Sequence, residues 1–115
     1  MTTRKKAGKV DKIVVAERDL AAQVEDLLGL YNWVWCHFRP ARTKDGWVTA
    51  LSGYPGFPDY FAVKEGIMLV FELKSDKGKV TEYQRLWHDE LKKAGKEVLI
   101  FRPDDIEHIV RILRI

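Results

Sequence analysis

The chain predicts a mixed α/β domain in which a small sheet is covered by helices, in the order α-β-β-β-α-β-α. Three observations lead there. Apolar residues recur at helical spacing in three segments, and short β-branched or aromatic runs of strand length lie between them. The chain has 115 residues, of which 46% are hydrophobic and 32% charged, so it is long enough for one domain and balanced enough for it to be globular.

Residues 1–14 read as a basic, flexible tail and residues 15–115 as the single domain. From Glu17, Leu20, Val24, Leu27 and Leu28 form one apolar face with Ala21 beside it, and Gly29 is the expected stop. Residues 33–38 read as a strand. Residues 39–58 hold Pro40, Gly46, Ser52, Gly53, Pro55, Gly56 and Pro58, which predicts one long loop. Strands follow over 59–63 and 67–74, around Lys64-Glu65-Gly66. Thr81 with Gln84 three residues on makes a capping box for a helix to Ala94, with Tyr83, Trp87, Leu91 and Ala94 as its apolar stripe and Gly95 after it. Residues 98–101 form a short strand. Pro103-Asp104 opens a last helix, with Ile106, Ile109, Val110 and Leu113 inward.

Composition excludes several classes. One cysteine, Cys36, rules out an internal disulfide framework and a cysteine zinc finger, and within an apolar strand it reads as core packing. The basic, polar start lacks the apolar segment of a secretory signal, and no apolar run is long enough to span a bilayer. A soluble, intracellular protein is expected. The net charge is +3, and its source is the tail, where Arg4, Lys5, Lys6, Lys9 and Lys12 against Asp11 give +4 while the rest of the chain is −1. Such a tail either binds phosphate backbones or is a solubilising terminus. No glycine-rich phosphate loop precedes a helix, and there is no Gly-x-Ser-x-Gly elbow.

The hairpin carries the chemistry. With Glu65-Gly66 as a two-residue turn, Lys64 pairs with Ile67, Val63 with Met68, Ala62 with Leu69 and Phe61 with Val70. The same register sets Asp59 opposite Glu72. Opposed side chains stand roughly 5 Å apart at Cβ, where like charges destabilise a sheet. Glu72 and Lys74 share one face. Two carboxylates and an amine therefore converge at one sheet edge beside a Pro/Gly-rich loop. Taken singly, a Glu-x-Lys on a strand is a solvated face and a Pro-Asp is a turn. Taken together, they point to a divalent cation with oxygen ligands, or to Lys74 offsetting the repulsion by itself. Gln84 and His88 lie one turn apart on the following helix. Gln84 serves as a cap, as a site residue, or as both. His88 is read as a surface or interface residue ahead of a metal ligand. His37 ends a strand beside Arg39, as a phosphate contact or as a partly buried structural histidine.

Gly56-Phe57-Pro58-Asp59, then Phe71-Glu72-Leu73-Lys74, then Gln84, resemble the PD-(D/E)xK nucleases, and most nearly their VRR-NUC branch of virus-type replication-repair nucleases. The similarity extends through Gly78-Lys79-Val80-Thr81 and Leu91-Lys92-Lys93-Ala94-Gly95, from about residue 17 to residue 113. It implies a restriction-endonuclease-like α-β-β-β-α-β core with a C-terminal helix. It implies that Asp59, Glu72 and the Leu73 carbonyl bind Mg²⁺ or Mn²⁺, that Lys74 positions or activates the attacking water, and that Gln84 supports the site. An acidic residue of the first helix completes the set, either Glu17 or Glu25. Arg39, Arg42 and Lys44, with His37, are the expected contacts to DNA. The resemblance further implies a cytoplasmic setting in a bacterial or phage-infected cell, a homodimer, and a Holliday-junction-resolvase-like endonuclease. The aromatic set Trp33, Trp35, Trp47 and Tyr54 exceeds what one small core needs, which also points to a dimer. A flap or single-strand nuclease, a non-catalytic nucleic-acid-binding module and a structural protein are the competing readings.

Overall fold

Residues 17–38, 41–43, 46–48 and 51–115 are described by a computed structural model of the chain, with side chains described over 19–38 and 51–115. The basic tail predicted over 1–14 lies outside the described residues. The described elements are α1 (Glu17–Leu30), β1 (Val34–His37), β2 (Ala41–Thr43), β3 (Gly46–Val48), β4 (Tyr60–Lys64), β5 (Ile67–Leu73), α2 (Glu82–Lys93), β6 (Leu99–Phe101) and α3 (Ile106–Leu113), the last entered through a 3-10 turn at Pro103–Asp105. Four strands form one mixed sheet in the order β1-β4-β5-β6. β1, β4 and β5 are antiparallel neighbours, and β6 joins β5 in parallel, as a helical crossover through α2 requires.

The β4–β5 register is the one expected: Lys64 pairs with Ile67 and Tyr60 with Phe71. Its cause is local. Glu65 and Gly66 both take positive φ, 47° and 84°, which is the turn whose twist matches the strands it joins. The ladder ends at Tyr60, so Asp59 lies one residue beyond it rather than inside a strand. Its carbonyl still accepts the Phe38 N–H at 2.8 Å, which anchors this residue to the end of β1.

Three expectations fail for identifiable reasons. Residues 39–58 are not one loop, because β2 and β3 form an antiparallel hairpin inside them, pairing Ala41 with Val48 and Thr43 with Gly46. Strands of three residues are too short to show a period of two. Gly29 does not stop α1. The helix runs to Leu30 and closes on Asn32 at φ 67°, with the Trp33 N–H on the Leu28 carbonyl at 2.9 Å and the Asn32 N–H on Gly29 at 3.2 Å. Asparagine tolerates this left-handed position, and Trp33 then packs beside Leu28 in the core. Cys36 is exposed rather than packed, since β1 is an edge strand whose Val34 and Cys36 point away from the core.

The core lies on one face of the sheet. Leu20, Val24 and Leu28 of α1 and Ile109 and Leu113 of α3 pack on Tyr60, Ala62, Leu69, Phe71, Leu73 and Phe101, and the five helix residues are fully buried. Trp33 belongs to this core, its Nε1–H donating to the Leu113 carbonyl at 2.8 Å, and Trp35 packs against it. Half of the aromatic set that suggested a dimer is thus accounted for inside one chain. Trp47 has no described side chain, and Tyr54 is exposed. The opposite face receives α2. Its predicted stripe is not buried: no residue of α2 is, and Tyr83 is 55% exposed.

Candidate metal centre

Glu72 sits in the centre of the sheet, on β5 between β4 and β6, and its side chain is 0% exposed. Burying a carboxylate is expensive unless its oxygens find hydrogen bonds or a cation. Neither oxygen has a hydrogen-bond partner among the described residues. Nε2 of His88 lies 3.2 Å from Oε1, and that nitrogen is itself buried and makes no aligned hydrogen bond among the described residues. Three polar atoms are therefore gathered out of water with their bonding capacity unused.

Lys74 follows on the same strand face, just past the end of β5, where its N–H still donates to the Phe101 carbonyl at 2.9 Å. Its ammonium donates to Gln84 Oε1 at 2.8 Å. The same oxygen accepts the Thr81 backbone N–H at 3.0 Å, while the Thr81 hydroxyl accepts the Gln84 N–H at 3.2 Å. An amide oxygen has two lone pairs. Gln84 uses one to complete the capping box and the other to fix the lysine, so the two roles considered for it coexist. An ammonium has three donors, and Gln84 takes one of those on Lys74.

The loop between β5 and α2 is held from below. Arg102 donates through Nη1 to the Ser75 and Gly78 carbonyls, each at 2.7 Å. From the other side, residues 54–57 press on the first turns of α2. Trp87 Nε1–H donates to the Pro55 carbonyl at 2.9 Å, and Phe57 meets the Trp87 ring edge-on at 5.1 Å. Gly56 makes the close approach possible: a Cβ there would lie 2.7 Å from the Tyr83 carbonyl carbon and 2.8 Å from the Gln84 nitrogen, and its φ is 94°. This contact seats residues 54–57 on α2 just ahead of Asp59, which precedes β4. The loop and α2 also frame an apolar cleft of about 690 Å³, lined by Leu51, Tyr54, Phe57, Leu86, Trp87 and Glu90.

Of the residues expected at the site, Glu72, Lys74 and Gln84 come together, and Leu73 lies between the first two on β5. Asp59, partly buried, stands at the end of β4 next to β5. Glu17 begins α1, and its side chain is outside the described residues. Glu25, the other first-helix candidate, lies on the core face instead. It accepts the Tyr60 hydroxyl at 2.5 Å and meets His37 Nδ1 at 3.1 Å, and His37 stacks on Tyr60 at 4.0 Å. His37 is thereby a partly buried histidine with a carboxylate partner. Arg39 and Lys44 lie outside the described residues, and only the backbone of Arg42 is described, on β2.

His88, read from the sequence as a surface or interface residue ahead of a metal ligand, lies four residues after Gln84 on the same side of α2, with its Nε2 buried beside Glu72. Among the described residues no group of three or more His, Cys, Asp or Glu side chains is arranged to hold a metal ion. The donor chemistry nevertheless suits Mg²⁺ or Mn²⁺: a buried carboxylate with both oxygens unused, a second carboxylate at the end of the neighbouring strand, and a backbone carbonyl at Leu73. Compared with protein-family models, with curated proteins and with solved structures, the chain matches none.

Proposed function

We propose that this chain is a divalent-metal-dependent DNA endonuclease with the restriction-endonuclease-like core of the VRR-NUC nucleases, acting on branched DNA in the manner of a Holliday-junction resolvase. The observation that carries the reading is Glu72, a buried carboxylate with no hydrogen-bond partner among the described residues, two residues from a lysine that Gln84 holds in place. A core residue selected for stability alone would not leave both oxygens unsatisfied.

Glu72, Asp59 and the Leu73 carbonyl would hold Mg²⁺ or Mn²⁺, with Glu17 as a further candidate from α1. A bound divalent cation neutralises charge on the phosphate and activates water. Lys74 adds a positive point charge beside the scissile phosphate, and its tether to Gln84 restricts where that charge sits. Hydrolysis adds water across one P–O bond, which leaves a phosphate on one strand end and a hydroxyl on the other. Arg39, Arg42, Lys44 and the basic residues before Asp11 would bind backbone phosphates, which makes affinity fall with salt. Two such chains related by a two-fold axis would present two sites to a symmetric junction.

The test is cleavage of labelled four-way junction, 5′ flap, single-stranded and duplex DNA with Mg²⁺ or Mn²⁺, beside Lys74→Ala. Symmetric cuts in the junction that disappear in the variant are expected. DNA binding with no cleavage of any substrate would favour the second reading, a non-catalytic nucleic-acid-binding module.

A further inference from the structure

We infer that His88 is a nitrogen donor to the cation held by Glu72, and that it biases the site toward Mn²⁺ and against Mg²⁺. The inference rests on the metal-dependent reading above and adds a ligand that this reading does not contain.

Geometry carries the argument. His88 Nε2 and Glu72 Oε1 are 3.2 Å apart, both are buried, and they make no aligned hydrogen bond with each other. Two neighbouring donors on a six-coordinate ion at about 2.1–2.2 Å stand roughly 3 Å apart, so the observed 3.2 Å, the spacing of an ion pair, also fits two ligands of one cation. A proton shared between the two atoms would give the same distance with a straight donor–acceptor line, which is missing here. The turn of α2 that carries the ring is itself held. The capping box and the Lys74 tether fix Gln84 one helical turn earlier, and the Trp87 Nε1–H bond to the Pro55 carbonyl fixes the adjacent residue. The side chain of His88 is 16% exposed, although its Nε2 is buried beside Glu72.

Ligand chemistry sets the selectivity. Mg²⁺ prefers oxygen and keeps much of its water, whereas imidazole nitrogen favours first-row transition ions. A site with one imidazole among oxygen donors should therefore bind Mn²⁺ more tightly than an all-oxygen site would, with little benefit to Mg²⁺. A metal-free reading of the same pair is a charged His88 beside ionised Glu72, and the test separates the two.

The experiment uses the full chain and Mn²⁺ alone as the probe. Pulsed electron paramagnetic resonance of the Mn²⁺-loaded protein should show a directly coordinated ¹⁴N nucleus. That signal should change to the ¹⁵N pattern when histidine is ¹⁵N-labelled, and vanish in His88→Gln. Calorimetric titration should show the Mn²⁺-over-Mg²⁺ preference falling by at least about tenfold in His88→Gln, the smallest loss usual when even an outer partner of a metal ligand is removed. Mn²⁺ binding without nitrogen coupling, or coupling that survives His88→Gln, would overturn the assignment of His88 and leave the parent reading standing. Failure of the wild-type chain to bind either ion would overturn both. Because the decisive spectrum is taken on the wild-type protein, misfolding of the variant cannot obscure the result.

Discussion

The two helices that cover the sheet are both amphipathic by sequence, yet they do opposite things. α1 buries Leu20, Val24 and Leu28 completely against β4, β5 and α3. α2 buries nothing completely, and Tyr83 and Leu86 remain 55% and 38% exposed. What α2 brings to the sheet is polar: Gln84 to Lys74 and His88 to Glu72. The face under α1 makes the fold. The face under α2 leaves a carboxylate with unused oxygens, which costs stability and fits a site. An apolar stripe on a helix therefore does not say which of these two tasks the helix performs.

The asymmetry can be broken most sharply by matched truncations. Leu28→Ala should cost about 2–5 kcal/mol in urea unfolding, because it empties a fully packed position. Leu86→Ala, at a half-open position on α2, should stay within about 0.5 kcal/mol. Equal losses would mean that α2 is as deeply packed as α1 and that the comparison is wrong.

A smaller effect sharpens the functional half. In EDTA, Glu72→Leu should stabilise the protein by roughly 1–3 kcal/mol, the cost of leaving a buried polar group unsatisfied. Mn²⁺ at about a hundred times its Kd should raise the wild-type stability by about 2.7 kcal/mol and the variant's by nothing. Thermal unfolding in EDTA and in Mn²⁺ checks both signs. A variant that is less stable in EDTA would show that Glu72 is a satisfied structural carboxylate.

The smallest effect concerns the cap. Thr81→Ala removes the hydroxyl that accepts the Gln84 N–H and should cost about 1 kcal/mol. It should also slow cleavage by loosening the Gln84–Lys74 tether, and Thr81→Ser should restore both properties. Stability lost without any change in cleavage would detach the cap from the site.

The hairpin and the site strand were legible because their physics is local. A two-residue turn fixes the register of β4 and β5 from Lys64–Ile67 to Tyr60–Phe71, and Asp59 lies one residue beyond that ladder. The Thr81–Gln84 capping box needs only a spacing of three. The β2–β3 hairpin was hidden in Pro/Gly-rich composition, and the end of α1 was misplaced because asparagine, not glycine, took the left-handed position. Trp33 looked surplus until the Leu113 carbonyl, eighty residues away in sequence, proved to be its partner.

By itself the sequence determined the three helices, the four strands of the main sheet, the β4–β5 register and the Thr81–Gln84 cap of α2, since each follows from spacing along a few neighbouring residues. Tertiary structure decided the rest. It chose α1 and α3 over α2 for the core, sent Glu25 and His37 to the core face, and set His88 against a buried carboxylate. These outcomes depend on which face of the sheet each helix covers, and that is settled by contacts between residues far apart in the chain, where no local period can register them.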